Sequence, residues 1–355
     1  MKLNKPRFWD SKKSLLAIFL FPLTLVTTLI TYLRRITSKP ISFKIPVICI
    51  GNIYIGGTGK TPTVLYLCKM LQENKQKDIA ILSRGYKRNT SGTVLVSSGN
   101  GPLENWQAVG DESYMMAQKT KNIPIVVDSN RHRGGRYLVK KFNSKIIILD
   151  DGFQHRALSR NLDIVLINGY TKPSDYSFLT TNLIRETWIS LKRADTIIFT
   201  KKNPNPLILK NIKEKKLMYI NSTFKSSILY PKRFDKKNKA LLLSGIGNPK
   251  SFEKLARSHG CIIVGIKRFK DHYSYNKQSL LEIVQLAKNL KADYILTTEK
   301  DWVKIEPIKP NFLFVVLKIE LNLSEKEKLK DILKEQLNLN LSHTPCKNDT
   351  NKSQH

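Results

Sequence analysis

The segment GGTGKTP at residues 56–62 constrains the fold of this chain more than any other feature. An apolar run at 45–50 precedes it and predicts a buried strand, and apolar residues at helical spacing follow it at 63–71. Strand, glycine-rich loop, Lys-Thr and helix in this order are typical of a phosphate-binding loop, because glycines let backbone N–H groups approach the phosphates. Lys60 can reach the outer phosphates and Thr61 can ligate Mg²⁺. The chain is therefore predicted to bind a nucleoside triphosphate.

The loop departs from the common G-x-x-x-x-G-K-[ST] pattern. The glycines crowd just before the lysine, as in partition ATPases, but Ile55 stands where those loops carry a lysine. A glycine turn that binds no ligand is the structural alternative. The residues predicted to contact the nucleotide are Tyr54, Ile55, Gly56, Gly57, Thr58, Gly59, Lys60 and Thr61.

Length and charge narrow the class of protein. With 355 residues the chain can form two domains, and Lys+Arg 61 against Asp+Glu 28 gives a formal net charge of +33. Such a surplus favours anionic partners, including phosphates and acidic membranes. The basic residues are spread along the whole chain, as in proteomes with A/T-rich codons, so no nucleic-acid partner is predicted. The four scattered cysteines form no metal or disulfide pattern, and reduced thiols in the cytosol are expected.

An apolar segment near the N-terminus predicts a membrane anchor. Residues 15–33 contain no charged residue and are flanked by basic pairs at 12–13 and 34–35. About 20 apolar residues suffice to span a bilayer, and basic flanks anchor such a helix among anionic head groups. A signal peptide and a buried core helix are the alternatives, but no small-residue cleavage site follows. We expect an uncleaved helix that dips into or spans the membrane.

From residue 45 onward, strand-like and helix-like runs alternate, which predicts an α/β fold. Uninterrupted apolar runs such as 145–149 favour a mostly parallel, P-loop NTPase-like sheet covered on both faces. A lysine-rich stretch near residue 235 suggests a boundary, after which a second α/β unit begins. The predicted divisions are a membrane-anchoring helix at 1–36, a P-loop domain at 37–233, a smaller α/β domain at 234–340 and a disordered tail at 341–355.

Three short segments contain acidic residues that could take part in the chemistry. The strand at 145–149 delivers Asp150 and Asp151 to the edge where ligands of open sheets bind, which suits Mg²⁺ coordination beside the phosphate loop. Asp111 and Glu112 follow a glycine, where they can cap a helix or supply a general base, and both readings remain open. Asp271 precedes His272, and a neighbouring aspartate can orient an imidazole for proton transfer. Arginines are too numerous for spacing to choose among them.

Ten short motifs occur in one order along the chain. They are GN at 51–52, GGTGKTP at 56–62, SRGY at 83–86, VGDE at 109–112, DDGFQH at 150–155, RE at 185–186, RAD at 193–195, SGIGNP at 244–249, DHY at 271–273 and TEKDW at 298–302. This series resembles the tetraacyldisaccharide 4′-kinase family of the lipid A pathway in Gram-negative bacteria. The resemblance covers most of residues 14–305. One departure is Thr187, which stands where the family has proline after Arg-Glu.

The resemblance implies an enzyme that transfers the γ-phosphate of ATP, with Mg²⁺, to the 4′-hydroxyl of an acylated glucosamine disaccharide 1-phosphate. It implies a monomer at the cytoplasmic face of the inner membrane, with a membrane lipid as substrate. By this resemblance Asp111 is the base, His272 supports it, and Lys60 stabilises the transferring phosphoryl group. The implied metal-side residues are Thr61, Asp150, Asp151 and Glu186. Further candidates for substrate or phosphate contact are Glu112, Arg131, Gln154, His155 and Arg185.

Two rival functions follow from the sequence. A membrane-tethered ATPase switch of the partition type would hydrolyse ATP without any lipid, but Ile55 and the distant Asp-His pair count against it. A basic nucleic-acid-binding module would show salt-sensitive affinity, but the chain has no recognition-helix or stacking-aromatic motif.

Overall fold

A computed structural model describes residues 40–54, 57–169, 185–186, 188–200, 204–232 and 234–339 of the chain. The strands are β1 Val47–Asn52, β2 Ile79–Ser83, β3 Val94–Ser97, β4 Ile125–Val127, β5 Ile146–Asp150, β6 Leu162–Ile167, β7 Thr196–Phe199, β8 Met218–Ile228, β9 Lys239–Ser244, β10 Ile262–Arg268, β11 Tyr294–Thr298 and β12 Phe314–Leu323. The helices are α1 Lys60–Glu73, α2 Trp106–Val109, α3 Asp111–Lys119, α4 Arg131–Phe142, α5 Pro206–Glu214, α6 Pro249–Ser258, α7 Lys277–Asn289, α8 Glu299–Ile305 and α9 Lys326–Leu337. Short 3₁₀ helices cover Trp188–Arg193 and Glu306–Ile308.

The described strands form one twelve-stranded sheet in the order β10-β9-β11-β12-β8-β7-β6-β1-β5-β2-β4-β3. From β8 to β4 every neighbouring pair is parallel, and β3 is antiparallel to β4. The strands β9, β10, β11 and β12 are likewise parallel to their neighbours, whereas β12 is antiparallel to β8. The predicted α/β fold with a mostly parallel sheet is confirmed.

Strand β8 connects the two halves of the sheet. Its first residues, from Met218 to Asn221, pair with β7, and the remainder, from Ser222 to Ile228, pairs with β12. The last helix, α9, returns to the first half, where Leu333 shares a hydrophobic cluster with Leu67 of α1. The two halves on either side of the proposed division near residue 234 are therefore joined by strand β8, which precedes it, and by helix α9, which follows it.

The central strands β1, β2, β5 and β6 of the first half are buried on both faces, whereas the edge strand β3 is half-buried at its start. In β1, Ile48 and Ile50 belong to one core cluster, whereas Val47 and Cys49 belong to the cluster on the opposite face. The second half repeats this pattern, with Leu242 and Leu241 in separate clusters. Side chains alternate across a strand, so continuous apolar runs give two buried faces, as the sequence predicted. Three buried cysteines, Cys49, Cys68 and Cys261, are free thiols in these cores.

The parallel arrangement brings the carboxyl ends of the central strands to one edge. Strands β1 and β5 are neighbours, and Ile50 lies opposite Asp150 in their register. The loop that leaves β1 and the acidic residues that end β5 are therefore adjacent.

Across the described residues we find no helix of sufficient length and apolarity to cross a membrane. The predicted anchor at 15–33 and the predicted tail at 341–355 lie outside the described residues, as do Ile55 and Gly56 of the loop.

Candidate active site

The phosphate loop ends at the N-terminus of α1. Gly59 precedes the helix with φ +87°, a left-handed conformation that favours glycine, and a Cβ there would lie 2.3 Å from the ring of Phe224 in β8. Asn52, at the end of β1, donates from Nδ2 to the Thr58 hydroxyl at 2.8 Å. Lys60 is the first residue of α1 and Thr61 is buried in its first turn. The loop is thus hydrogen-bonded to the end of β1, and the Phe224 ring of β8 lies beside Gly59. Its lysine and threonine stand at a helix N-terminus, where anions bind.

Asp150 ends β5 with a buried carboxylate. Its Oδ2 accepts a hydrogen bond from the Ser83 hydroxyl at 2.9 Å, whereas Oδ1 is buried and accepts no hydrogen bond from any described residue. Burial, followed by the negative charges of Glu112 and Asp151, raises the pKa of Asp150 to about 7. A buried carboxylate oxygen without a partner is the kind of group that a cation would satisfy.

Asp151 binds two basic side chains. Arg185 Nη1 lies 2.6 and 2.7 Å from its two carboxylate oxygens, and Lys60 Nζ lies 3.6 Å from Oδ1. Burial opposes ionisation, but Lys60 and Arg185 together hold the pKa of Asp151 below its ordinary value. The strand-end aspartate and the loop lysine, predicted from separate motifs, are therefore in direct electrostatic contact.

Two further candidates, Gln154 and Glu186, lie beside the chain that follows β1. Gln154 donates from Nε2 to the Asn52 carbonyl at 2.8 Å, which ties the β5 turn to β1. The carboxylate of Glu186 forms an ion pair with Arg193, whose guanidinium lies 4.1 Å from the centre of the Phe153 ring. The Glu186 carboxylate is thus bound by a guanidinium.

Arg131 and His155 form the basic side of the site. Arg131, at the start of α4, is buried and donates from Nη1 to the Asp128 carbonyl at 2.8 Å. Burial and the charge of Arg84 lower the pKa of Arg131 to about 10. Burial, then the charge of Arg131, lowers the pKa of His155 to about 4, so this imidazole is neutral near pH 7. The grouped positive charge suits an anionic ligand.

The second half of the protein supplies a histidine to the first. His272 follows β10, and its Nδ1 lies 2.8 Å from Oδ2 of Asp111, the first residue of α3. Asp111 Oδ1 accepts a hydrogen bond from the Glu112 backbone N–H at 2.9 Å. Burial raises the proton affinity of Asp111, but the bond to His272 and the charge of Lys300 bring its pKa below the ordinary value. Asp111 is therefore an ionised, buried carboxylate with a histidine partner.

Lys300 and Glu112 extend this pair. Lys300 Nζ lies 3.0 Å from Glu112 Oε1 and 3.0 Å from His272 Nε2, and 3.7 Å from Asp271 Oδ1. Lys304 Nζ, fully buried on the same helix, lies 4.0 Å from Asp111 Oδ2. Asp111 and Glu112 of α3 therefore form one charged network with Lys300 and Lys304 of α8.

Asp301 supports this network through its own buried hydrogen bonds. It is fully buried, and its oxygens accept hydrogen bonds from the Gly245 backbone N–H, the Tyr275 hydroxyl and the Thr298 hydroxyl, while Lys304 Nζ lies 3.1 Å away. A Cβ at Gly245 would lie 3.0 Å from the Asp301 carboxylate, so the close approach requires glycine. These contacts fix the start of α8 and thereby the position of Lys300.

The residues present fit a magnesium ion. Within the described residues, no group of three or more His, Cys, Asp and Glu side chains is arranged to hold a metal. Mg²⁺ is usually held by one or two carboxylates together with waters and substrate phosphates, so Asp150 Oδ1 and the Thr61 hydroxyl are a sufficient protein contribution. The hard oxygen donors and the adjacent phosphate loop both match that ion.

A parallel sheet, a phosphate loop at a helix N-terminus, an unsatisfied strand-end aspartate and an Asp-His pair together define a P-loop phosphotransferase. Comparisons with known proteins agree. The family described as tetraacyldisaccharide-1-P 4′-kinase matches residues 16–338. The chain belongs to this tetraacyldisaccharide 4′-kinase family, which confirms the predicted family and the predicted enzyme class, a kinase.

Individual relatives cover most of the chain. The tetraacyldisaccharide 4′-kinase of Halothermothrix orenii is 33% identical over 327 residues, which are 83% of this chain and 85% of the relative. That of Flavobacterium psychrophilum is 35% identical, over 83% of this chain and 89% of the relative. The crystal structure of LpxK from Aquifex aeolicus in complex with ATP matches with a TM-score of 0.70 and 26% identity, and covers 91% of this chain and 100% of that one.

The structure brings together most of the predicted site residues and corrects one interpretation. Asp271, the sequence neighbour expected to orient His272, lies 3.9 Å from its Nε2, whereas Nδ1 bonds Asp111. His272 adopts φ +60°, a left-handed conformation, and its ring faces Asp111 at the start of α3. Sequence reasoning gave no role to Lys300, Lys304 or Asp301. The signal that could have found them is the TEKDW motif at 298–302 together with Lys304: Lys300 lies four positions and Asp301 three positions before Lys304, and these spacings bring side chains together on a helix.

Proposed function

We propose that this chain transfers the γ-phosphate of ATP to the 4′-hydroxyl of a tetraacyl glucosamine disaccharide 1-phosphate in lipid A biosynthesis. The observation that carries the proposal is the continuity of the phosphate side and the acceptor side of the site. Glu112 raises the pKa of Asp150 on one side and binds Lys300, the neighbour of His272, on the other. A kinase needs this continuity, since the donor phosphate and the acceptor hydroxyl must meet in line.

Each side has its own residues. On the phosphate side, the backbone of the loop from Tyr54 to Thr61 and the Lys60 ammonium would bind the β- and γ-phosphates. Asp150 and Thr61 would hold Mg²⁺, which when bound neutralises charge on the phosphate oxygens. Asp151 would orient Lys60, since the two side chains are 3.6 Å apart.

On the acceptor side, Asp111 would accept the proton of the sugar hydroxyl, and His272 would hold Asp111 in position through Nδ1. The oxygen of the hydroxyl bonds the γ-phosphorus while the bond to the bridging oxygen of ADP breaks. Arg131, His155 and Arg185 would lie among the anionic groups of the two substrates, where positive charge and neutral imidazole N–H groups both bind phosphate oxygens.

The membrane lipid substrate explains the apolar segment at 15–33. We propose that it anchors the chain at the cytoplasmic face of the inner membrane, because the acceptor is embedded there and ATP is cytosolic. Basic flanks at 12–13 and 34–35 support this orientation. A matched pair of variants tests it: Leu20→Lys with Leu25→Lys should release the protein from anionic vesicles in flotation, whereas Lys12→Gln should leave most of it bound.

The activity is tested with purified full-length protein, γ-labelled ATP, Mg²⁺ and the disaccharide 1-phosphate in detergent. Label should appear in the lipid, and should be lost in Asp111→Ala and in Lys60→Ala. Hydrolysis of ATP at an unchanged rate without labelled lipid would overturn the proposal and favour an ATPase switch. Leu207→Ala, at an exposed position on α5, is the control expected to retain transfer.

A further inference from the structure

Lys300 contacts both His272 and Glu112 in the acceptor-side network, and the proposed roles do not explain its position. It is the second residue of α8 and joins His272 of its own half to Glu112 of the other half. Its Nζ lies 3.0 Å from both partners, and only 20% of the side chain is exposed. A surface lysine would leave these contacts to water, so the placement requires a chemical reason.

The charge of Lys300 is secure. Burial alone would lower its pKa, but the carboxylates of Glu112, Asp111 and Asp271 outweigh burial and raise the pKa above the ordinary value. The side chain is therefore an ammonium at any pH at which a kinase works. An ammonium has three N–H donors and no acceptor.

The ammonium of Lys300 determines which nitrogen of His272 carries the proton. Because Lys300 can only donate, Nε2 at 3.0 Å must accept, and the imidazole proton must then lie on Nδ1. Nδ1 donates that proton to Asp111 Oδ2 at 2.8 Å. A doubly protonated ring would set an Nε2–H against the ammonium, and the Asp271 carboxylate, 3.9 Å from Nε2 and 3.7 Å from Nζ, is too far from both donors to accept a hydrogen bond.

We propose that Lys300 is a positioning residue that keeps His272 neutral and protonated at Nδ1, so that Asp111 is the single proton acceptor of the pair. This proposal rests on the proposed kinase function. The acceptor hydroxyl gives its proton to Asp111 as its oxygen bonds the γ-phosphorus and ADP leaves. His272 donates one hydrogen bond throughout and takes no proton itself.

The carboxylates around His272 act in the opposite direction. The carboxylates of Asp111 and Asp271 face the ring at 2.8 and 3.9 Å, and Glu112 lies behind Lys300. The Tyr86 ring contacts the imidazole edge-on at 5.2 Å between centroids. Lys304, 4.0 Å from Asp111, is a second positive charge beside the pair, and Lys87 Nζ lies 3.3 Å from the Asp271 carbonyl oxygen. Without Lys300, three carboxylates would therefore favour a second proton on Nε2, and an Asp111 paired with imidazolium is a weaker base.

The test compares Lys300→Met, which keeps the length and removes the charge, with Lys300→Arg, which keeps donors. Lys119→Met is the matched control, because Lys119 forms an ion pair with Glu299 between the same two helices but does not touch His272. Two measurements are made on the full chain: the pH profile of kcat for lipid phosphorylation, and the ¹⁵N spectrum of histidine-labelled protein, with His272→Gln used to assign the signal.

Wild type and Lys300→Arg should show His272 protonated at Nδ1 only. In Lys300→Met the acidic limb of kcat should move to higher pH by about one pH unit or more, equal to a tenfold loss on that limb, with recovery at alkaline pH. Lys119→Met should keep the wild-type profile.

A wild-type spectrum with the proton on Nε2 would overturn the proposal, even if Lys300→Met does not fold. Equal loss of kcat at every pH in Lys300→Met, with an unchanged His272 spectrum, would also overturn it and leave Lys300 a structural residue. Wild-type protein that labels no lipid would instead refute the proposed function.

Discussion

Replacement of Asp150 by asparagine should stabilise the metal-free protein while it removes activity. Asp150 is 2% exposed, its Oδ1 accepts no hydrogen bond from the described residues, and its pKa rises from the ordinary value of 3.8 to about 7. A neutral amide avoids the cost of ionising this group, and its oxygen can still accept from the Ser83 hydroxyl. Functional residues often carry such a cost, because the charge is needed for the ligand.

The sign and size follow from linked protonation. Between pH 3.8 and about 7 the folded protein holds a proton on Asp150 that the unfolded chain has lost. The free energy of unfolding of wild type therefore falls as pH rises through this range, and the loss is complete above about pH 7. The full difference corresponds to about 4 kcal/mol at 1.36 kcal/mol per pKa unit. Between about pH 5 and about pH 8 the advantage of Asp150→Asn should grow by about 2.5 kcal/mol.

The assay is urea unfolding of both proteins with chelator and without nucleotide, at the two pH values. Taking the difference between pH values cancels any constant effect of the substitution. Asp151→Asn is the control: the pKa of Asp151 is lowered, so its own contribution is present at both pH values, and the difference between them should be smaller than for Asp150→Asn because only the minor part of the Asp150 shift that comes from the Asp151 charge is lost. Added Mg²⁺ and nucleotide should stabilise wild type far more than Asp150→Asn. An advantage of Asp150→Asn that does not grow with pH would refute the reasoning.

Three further outcomes are expected. Lys60→Ala should lower label transfer about 10²- to 10³-fold with an unchanged circular dichroism spectrum, because the lysine stabilises charge in the transition state; a loss below tenfold would contradict this. Gly59→Ala should weaken nucleotide binding, and adding Phe224→Ala should recover only part of it, since the contact is relieved while φ stays at +87°; full recovery in a titration would show that φ is unimportant. Asp301→Ala should cost about 3 kcal/mol in urea unfolding, because Lys304 loses its buried partner at 3.1 Å; a cost below about 1 kcal/mol would contradict that.

The phosphate side of the site could be predicted from the sequence because its information is local. The loop, the lysine and the helix start are contiguous in sequence. Asp150 ends a strand that can be predicted from its own apolar residues. That this strand lies beside β1 follows from the parallel sheet rather than from any motif. The general rule that ligands bind at the carboxyl edge of such a sheet made the juxtaposition predictable.

The acceptor side could not be predicted from residue patterns alone. Asp111 and His272 are 161 positions apart, and the pairing entered only through resemblance to a family. Proximity in sequence favoured Asp271, but the imidazole of His272, at a left-handed backbone position, faces Asp111. Lys300 had no role at all, because it lies at the start of α8 whereas its partners come from α3 and from the turn after β10. Three elements meet there only after both halves of the sheet have formed.

The sequence left two interpretations open for Asp111, a residue that caps a helix start and a general base. The structure is compatible with both, because each role uses a different oxygen of the carboxylate. Gly110 is the N-cap of α3, with φ +88° and no side-chain bond, so Asp111 is the first residue inside the helix. Its Oδ1 binds the next backbone N–H and its Oδ2 faces His272. The helix N-terminus and the nearby ammonium groups keep the carboxylate ionised and make it a weak base. A weak base is sufficient here, since phosphoryl transfer depends mainly on position and charge neutralisation, and the same bonds that weaken Asp111 fix where it stands.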